Sequence, residues 1–557
     1  MASISSQLLF LTTSPRTPEK MIPEIELLIN KFDGKKWDKE TQMAFMEALR
    51  EENFYYGTGT NDPAFSARDR INRAPKSLGF ITLQPTIRLT PAGEQLLTSK
   101  RKDEVFLRQM LKFQLPSPYH KPTEMAAAFC VKPYLEMLRL VRTMGTLKFD
   151  ELQIFGMQLT DYHEFDQIVK KINEFRIEKA ENKGNYRLFK ADFLRRELTT
   201  IYQKRIAKGE IKTRESNDKS LKKFLDTQAS NMRDYADSCF RYLRATGLVA
   251  VSQVGKSLSI VKAREEDVDY ILKNVRREPS VFATEVEYAT YLGKDTTPKL
   301  LTDNKMLLSR KIKTEFPNIQ IPAKIKIPEL KNLFFSLLDQ RKEESIAAQI
   351  TALKNYDLYD DIQKTFEQIK NNELYDTPLM LEWNTWRAMT MLDGGKIKAN
   401  LNFDDYGKPL STAAGNLADI VCDYGAFYVC VEVTMSTGQR QYEMEGEPVM
   451  RHLGKMKINT NKPCYCLFVA PSINEACVVH FYTLHHLNLT LYGGKSVIVP
   501  LPLDIFQKMI EDSYKVNYVP DPSHVKAFFD ASIKNARMAH DEVEWYEKMK
   551  DEALHWL

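Results

Sequence analysis

Residues 427–434 constrain the fold most, because this apolar stretch has the pattern of a buried strand and yet contains one acidic residue, Glu432. Burying an unpaired carboxylate is expensive, so the chain must place compensating groups beside it. Strand side chains alternate between two faces, and Glu432 therefore points away from the face that we expect to form the core. The residues of that core face are Val429, Val431 and Val433.

Apolar runs alternate with helical patterns throughout residues 376–557, which predicts an α/β sheet domain. A helix containing LEWNTWRA comes first, and a polar loop follows it. The last residues, 523–557, have a helical, amphipathic and acidic pattern. Between them we predict strands at 419–424, 427–435, 464–471 and 495–501, and helices at 449–458, 474–487 and 503–514.

In the N-terminal half, helical segments are followed by short strand-like runs. Residues 65–79 predict two helices, and the runs 80–83 and 86–90 predict a pair of strands. Thr90 before Pro91 is a signal for the start of another helix, since Thr caps it and Pro suits its first turn. This order of two helices and a two-stranded wing is the winged helix-turn-helix pattern.

The same pattern recurs further along the chain. Residues 134–180 predict a series of helices, and residues 231–262 predict a helix followed by a hairpin that turns at 254–256. We therefore expect a multidomain chain with a mainly α-helical region of winged-helix subdomains and a C-terminal α/β domain. The predicted segments are 1–130 and 131–270 for the two winged-helix subdomains, 271–375 for a helical linker, and 376–557 for the sheet domain.

Basic residues concentrate in the winged-helix regions. Residues 65–112 contain ten Lys and Arg against four Asp and Glu, and residues 201–260 contain twelve against six, while the whole chain carries a net charge of only +5. Local positive charge on helix-turn-helix units is the electrostatic footprint expected for nucleic-acid binding. Arg, Lys and Asn suit base or phosphate contacts. The candidate DNA-binding residues are Arg16, Arg68, Arg70, Arg73, Lys76, Arg214, Asn231 and Arg233.

Two carboxylates of the sheet domain have the spacing of a metal site. Asp419 opens one strand and Glu432 lies in the next, so antiparallel pairing brings both to one end and one face. Neighbouring carboxylates repel each other, and a bound Mg²⁺ compensates their charge. Such a cation can activate water and stabilise a leaving oxyanion. This spacing resembles the PD-(D/E)xK nuclease core.

The chain departs from that core at Thr434, because the usual pattern has Lys two residues after the second acid. Another group must orient the attacking water. The nearby candidates are Glu445, His452, Lys455 and Lys457.

A longer stretch, AAGNLADIVCDYGAFYVCVEVTMSTGQRQYEMEGEPVMRH (413–452), resembles the catalytic region of the AlwI family of type IIS restriction endonucleases. LEWNTWRA (381–388) resembles the family's helix that carries a further active-site Glu, and LPSPYHKP in the N-terminal half is most similar to the MlyI subgroup. Carried over by residue, the resemblance implies Glu382, Asp419, Glu432, Glu445 and His452 as catalytic residues, with Asp419, Glu432 and Glu382 binding Mg²⁺.

The resemblance also implies a recognition half of winged-helix subdomains on double-stranded DNA, and cleavage a few bases downstream of an asymmetric site. That site is GAGTC for the most similar relatives, and GGATC for another branch. One active site cuts one strand. Cleavage of both strands by a monomer therefore needs transient pairing of two catalytic domains or a second subunit, and an enzyme without such pairing nicks.

Two other classes of protein remain open. One is a non-catalytic winged-helix DNA-binding regulator with a decayed nuclease domain, against which the complete acid set argues. The other is a repair or transposon-end nuclease on the same core.

Seven scattered cysteines predict buried, reduced thiols, and we expect no signal peptide or membrane span. The expected location is the bacterial cytoplasm.

Overall fold

The chain forms two compact units in a computed structural model. Unit 1 comprises Met1–Glu51 and Gly57–Phe335, and unit 2 comprises Glu52–Tyr56 and Ser336–Leu557. The finer division into four segments stays a prediction. The structure describes residues 2–4, 6–52, 54, 62–124, 126–213, 218, 220–392, 395–413, 417–516 and 521–557.

Unit 1 is mainly helical. Many of its helices begin with a capping side chain or with Pro in the first turn, as local sequence rules predict. Its helices are α1 (Met21–Phe32), α2 (Lys39–Glu51), α3 (Pro63–Asn72), α4 (Ala74–Ser77), α5 (Pro91–Thr98), α6 (Lys102–Lys112), α7 (Pro133–Met144), α8 (Phe149–Ile154), α9 (Phe165–Glu181), α10 (Tyr186–Ile201), α11 (Gln203–Ala207), α12 (Leu221–Ala245), α13 (Glu265–Asn274), α14 (Glu285–Gly293), α15 (Lys305–Glu315) and α16 (Ile327–Lys354), the last of which continues into unit 2.

Three small sheets accompany these helices. Their strands are β1 (Ala2–Ile4), β2 (Ile81–Thr82), β3 (Arg88–Leu89), β4 (His120–Pro122), β5 (Thr146–Lys148), β6 (Val249–Ser252) and β7 (Ser257–Ile260). β2 pairs with β3, β1 pairs with β4, and β5, β7 and β6 form a three-stranded sheet in that order.

Both strand pairs predicted in the N-terminal half are present. β2 and β3 are antiparallel, and α5 follows them with the hydroxyl of Thr90 accepting a hydrogen bond from Gly93 N at 3.0 Å. β6 and β7 form the predicted hairpin after α12. The pattern did not predict β5, whose three residues follow Gly145 and pair with β7 far along the chain. So short a strand has no periodic signal of its own.

Unit 2 has helices around a five-stranded mixed sheet and also contains a two-stranded sheet. The remaining helices are α17 (Tyr359–Lys370), α18 (Thr377–Met391), α19 (Gln439–Thr460), α20 (Glu475–His486), α21 (Leu503–Lys515), α22 (Pro522–Met538) and α23 (Glu542–Leu554). The remaining strands are β8 (Lys396–Ala399), β9 (Asn402–Phe403), β10 (Pro409–Ser411), β11 (Ile420–Asp423), β12 (Tyr428–Val433), β13 (Cys464–Ala470) and β14 (Ile498–Pro502).

The main sheet has the strand order β14-β13-β12-β11-β8. β12, β13 and β14 are parallel, while β11 is antiparallel to both of its neighbours. β12 is therefore central, and α18 packs against β11 and β12 while α19 packs against β12 and β13. The prediction of a single core face on β12 was incomplete, because Cys430 and Glu432 are buried as well as Val429 and Val431.

The boundaries of several predicted elements in unit 2 changed. The helix predicted at 449–458 begins at Gln439 and runs through Pro448, a residue that usually ends helices. The polar loop after α18 contains β8, β9 and β10. α17, within the predicted linker, contributes Ile362, Phe366 and Ile369 to the same buried core as the sheet, so this unit begins before residue 376.

The seven cysteines are all free thiols, and six of them are buried, as predicted. Cys130 is the exception and is half-buried. Within the described ranges, no helix combines the length and the hydropathy that crossing a membrane requires.

Candidate active site

Asp419 and Glu432 lie opposite each other at one end of the β11–β12 pair. The register pairs Ile420 with Val431, which sets the preceding Asp419 across from Glu432. Asp419 Oδ2 accepts a hydrogen bond from Val433 N at 2.9 Å, and the backbone N–H of Asp419 donates to the Glu432 carboxylate. The predicted juxtaposition of these two acids is therefore present.

Glu382 comes to this region on α18. Its side chain is buried at 3% exposure, between Leu381 and Trp383, which belong to the core of unit 2. Glu382 Oε1 accepts a hydrogen bond from Ala413 N at 2.9 Å. Its negative charge raises the pKa of Glu432, so the two carboxylates lie in electrostatic reach of each other. Ala413 belongs to the loop before β11, which the sequence did not connect with Glu382.

Helix α19 brings Glu445 and His452 to the same place. The two residues are seven positions apart, which is about two helical turns, and therefore share one face of the helix. His452 Nδ1 lies 2.8 Å from Glu432 Oε1. The Thr434 hydroxyl donates to the Glu445 carboxylate and accepts a hydrogen bond from Ser436 N at 3.0 Å. Thr434, at the position where the nuclease pattern has Lys, thus contacts another acid of the site.

Burial controls the protonation of the Glu432–His452 pair. Burial first, and then the charges of Glu445 and Glu382, raise the pKa of Glu432 well above its usual range. Burial, with the positive charges of Arg451 and Lys455, lowers the pKa of His452 to about 4. The lowered pKa leaves the His452 imidazole uncharged at neutral pH, so this contact is a hydrogen bond rather than an ion pair.

The other candidates have different surroundings. Burial raises the pKa of Glu445, and the Thr434 hydroxyl opposes that shift. Lys457 donates to Lys495 O at 3.0 Å and Ser496 Oγ at 3.1 Å, and so is engaged away from the acids. Lys455 is exposed. Arg451, which was not among the candidates from the sequence, pairs with Glu447 at 3.1 Å. Its positive charge opposes the rise in the pKa of Glu432. Its position directly before His452 in the sequence was the signal that could have identified it.

The donors of this site suit a hard cation, because Glu382, Asp419 and Glu432 offer only carboxylate oxygens. Their oxygens do not converge fully. Among the described residues, no three acids of the site bring one oxygen each within 4.8 Å of the others. Side-chain rotation is therefore needed before these carboxylates can share one ion.

Five of the DNA-binding candidates lie in the first part of unit 1, and the structure gives each of them a protein partner. Arg16 pairs with Asp234 at 3.0 Å, Arg68 with Asp62 at 3.8 Å, Arg73 with Asp69 at 2.6 Å, and Lys76 lies 4.3 Å from the ring centroid of Tyr119. Arg70 donates two hydrogen bonds to Glu24, a carboxylate that is 2% exposed. Of the five, Arg70 therefore has the clearest structural role.

The remaining three candidates belong to the later basic region. Asn231 is half-buried and Arg233 is exposed, both on α12. Arg214 lies outside the described residues. The DNA contacts of all eight candidates stay a prediction.

Comparisons with known proteins gave a family match and several similar solved structures. The small subunit (R.BspD6I2) of the heterodimeric restriction endonuclease R.BspD6I is 25% identical, with a TM-score of 0.27, and the match covers 36% of this chain and 92% of that one. The BpuJ1 endonuclease binding domain, in complex with pyrene- and phenanthrene-modified DNA, is 12% identical, with a TM-score of 0.31, and the match covers 49% of this chain and 92% of that one. A comparison with curated proteins found no match.

The family match is the decisive comparison. The model of the AlwI restriction endonuclease family matches residues 76–509, which is most of the 557-residue chain. This range contains Glu382, Asp419, Glu432, Glu445 and His452 together with much of unit 1. The chain therefore belongs to the AlwI restriction endonuclease family and is a site-specific DNA endonuclease.

Proposed function

We propose that this enzyme is a type IIS endonuclease that hydrolyses DNA phosphodiester bonds at a fixed short distance from an asymmetric site. The position of Asp419 opposite Glu432 on neighbouring strands carries the proposal. Two acids in this arrangement, with Glu382 behind them on α18, support a PD-(D/E)xK-like catalytic centre in unit 2. The acids are intact, which argues against a DNA-binding regulator with a decayed nuclease domain.

Mg²⁺ is the cofactor that fits these donors. Asp419, Glu432 and Glu382 would hold it, since their clustered negative charges need a compensating cation and their oxygens are hard ligands. When bound, a divalent cation activates water and stabilises the leaving oxyanion. Each ligand is already oriented through one oxygen, by Val433 N, His452 Nδ1 and Ala413 N respectively. Such supporting hydrogen bonds hold ligand carboxylates in place.

His452 and Glu445 take the role of the missing Lys. Glu432 Oε1 holds His452 Nδ1, which fixes the orientation of the imidazole. His452 Nε2 is buried and has no hydrogen-bond partner within the described part of the chain. We assign Nε2 as the atom that accepts the proton of the attacking water. His452 is then the general base, and a carboxylate holds its other ring nitrogen. Glu445, held by Thr434, orients the same water.

Recognition belongs to unit 1 in this proposal. Winged-helix subdomains built on α3–α5 with β2 and β3, and on α7–α12 with β5–β7, would read the DNA. The basic stretches 65–112 and 201–260 both lie in unit 1, while all the acids of the catalytic site lie in unit 2. Physical separation of reading and cutting is what a type IIS enzyme requires. The similarity to the MlyI subgroup supports GAGTC as the recognition site. It also supports a monomer that is located in the bacterial cytoplasm.

Run-off sequencing of both strands of a cleaved plasmid tests the proposal. We expect Mg²⁺-dependent cuts at one fixed offset from GAGTC, and none after chelation. Linear product would indicate transient pairing of two catalytic domains, whereas persistent open circles would indicate nicking. Cuts at a fixed offset from GGATC would place this enzyme in the branch of the family that recognises GGATC. Cuts without any fixed offset would favour a repair-type nuclease, and the absence of cuts would favour a non-catalytic binder.

Replacing Thr434 with Val should lower the single-turnover cleavage rate by about tenfold to a hundredfold, because Glu445 loses the hydroxyl that holds it. Val keeps the shape of Thr at this buried position directly after β12. Thr434→Ser keeps the hydroxyl and should restore most of the rate. Equal rates for Thr434→Val and the wild type would show that this hydrogen bond has no part in the reaction.

Replacing Arg233 with Gln should weaken DNA binding uniformly across sequences and reduce the slope of log K against log salt by about 1. Arg233 is exposed on α12, so its removal should leave folding unchanged. Fluorescence anisotropy at several salt concentrations, with a chelator present, measures both quantities. Lys170, exposed on α9 outside the basic stretches, is the matched control, and Lys170→Gln should leave the slope as it is. An unchanged slope for Arg233→Gln would contradict a phosphate contact.

A further inference from the structure

Cys130 and Asp161 lie side by side in unit 1 although they are far apart in the sequence. Residues 130 and 161 form an isolated parallel bridge. Cys130 N donates to Thr160 O at 2.9 Å, and Tyr162 N donates to Cys130 O at 2.9 Å. These two backbone hydrogen bonds hold the thiol beside the carboxylate.

His163 is folded onto the same carboxylate. Asp161 caps the short 3-10 helix Tyr162–Glu164, and its Oδ1 accepts a hydrogen bond from His163 N at 2.9 Å. The imidazole Nδ1 lies 2.7 Å from the same Oδ1, and the ring centroid lies 4.0 Å from that of Tyr162. The imidazole is therefore held next to Asp161 by a side-chain contact and a ring contact.

Together the three side chains form a compact set of metal-binding atoms. One atom from each of Cys130, Asp161 and His163 lies within 4.8 Å of the other two. No other group of His, Cys, Asp or Glu does so in the part of the chain that the structure describes. Cys130 is also the one cysteine of the seven that is not buried, so a metal ion in solution can reach it.

The chemistry of this set selects the ion. A thiolate, a carboxylate and an imidazole suit a borderline cation such as Zn²⁺, with a water completing a tetrahedron, whereas Mg²⁺ prefers oxygen alone. The negative charges of Asp161 and Glu278 lie near the Cys130 thiol, and this environment attracts a cation. Nearby Arg277 is engaged by Glu136 through bonds of 2.9 and 2.7 Å, so its charge is already compensated.

We propose that Cys130, Asp161 and His163 bind one Zn²⁺-class divalent cation in unit 1. This site uses none of the residues of the carboxylate site in unit 2. The ion ties residue 130, before α7, to the 3-10 helix before α9. Its expected role is structural, because binding to the folded form alone stabilises that form. The competing explanation is a cluster of hydrogen bonds around Asp161 without metal.

Cobalt titration of the full-length, metal-stripped protein tests the site. We expect one equivalent of Co²⁺ to produce a near-ultraviolet thiolate-to-cobalt charge-transfer band, and Zn²⁺ to displace it. Cys130→Ser should abolish the band, and His163→Gln should weaken Co²⁺ binding by at least about tenfold. Carboxylates in unit 2 that bind Co²⁺ cannot give this band, because they contribute no sulfur.

His555 provides a matched control, since it is exposed and lies 3.3 Å from Asp551 as a second surface His–Asp pair. His555→Gln should bind Co²⁺ like the wild type. Zn²⁺ should also raise the melting temperature of the wild type but not of Cys130→Ser. Absence of the charge-transfer band, or its persistence in Cys130→Ser, would overturn the proposal.

Discussion

Replacing Asp419 with Asn should reduce DNA cleavage by about a thousandfold or more and leave DNA binding unchanged. Asn removes the negative charge that faces Glu432, and with it a ligand of the proposed Mg²⁺. The fold should survive, because the amide oxygen can still accept the hydrogen bond from Val433 N. Single-turnover cleavage with Mg²⁺ measures the first effect, and anisotropy with a chelator present measures the second.

Asp423 offers a matched control on the same strand. It lies at the other end of β11 and accepts a hydrogen bond from Gly425 N at 2.9 Å in the turn to β12. Asn is well tolerated in such turns, so Asp423→Asn should cleave at the wild-type rate. Wild-type cleavage by Asp419→Asn would remove Asp419 from the active site. Equal loss in both variants would indicate damage to the strand rather than to the chemistry.

Replacing Arg70 with Gln should lower the free energy of unfolding of unit 1 by about 3–5 kcal/mol, because it leaves Glu24 buried without its cation. The Arg70 side chain is 21% exposed and that of Glu24 is 2% exposed, so water cannot replace the guanidinium. Hydrogen exchange of the amides in α1 and α3 measures the effect, since it reports local opening free energies. Loss of DNA binding should follow from loss of folding.

The loss in the free energy of unfolding caused by Arg70→Gln should become smaller as the pH falls. Burial already holds the pKa of Glu24 above its ordinary range while Arg70 is present, and removing Arg70 raises it further. The folded form then binds a proton more tightly than the unfolded form, so acidification favours folding. A protonated Glu24 needs no counter-ion. Hydrogen exchange of the variant and the wild type at matched pH values measures the trend.

Arg68 on the same helix is the control. It is 45% exposed and pairs with Asp62 at 3.8 Å, so Arg68→Gln should cost less than about 1 kcal/mol. Arg68 also remains available for DNA. A normal stability for Arg70→Gln combined with weaker DNA binding would contradict the structural role and support the predicted DNA contact.

Much of the local structure could be predicted from the sequence. The hairpin β6–β7, the cap of α5 and the alternation of strands and helices in unit 2 follow from short-range patterns. The facing of Asp419 and Glu432 followed from a tight turn and strand periodicity. β5 and β8 were missed because a short strand is recognised by its partner and not by its own period. The first turns of α19 were missed because Pro448 usually ends a helix. The helix continues through Pro448 because packing outweighs the one hydrogen bond that is lost there.

The sequence by itself determined which acids could form a metal site, that Lys is missing at residue 434, and that most of the chain follows one family pattern. Tertiary structure decided which side chains meet. It brought Glu382 to Ala413, His452 to Glu432, and Thr434 to Glu445. It also engaged Arg70 with buried Glu24. The physical reason is that periodicity reports only the face of each element, whereas contacts between distant residues depend on how those faces pack together.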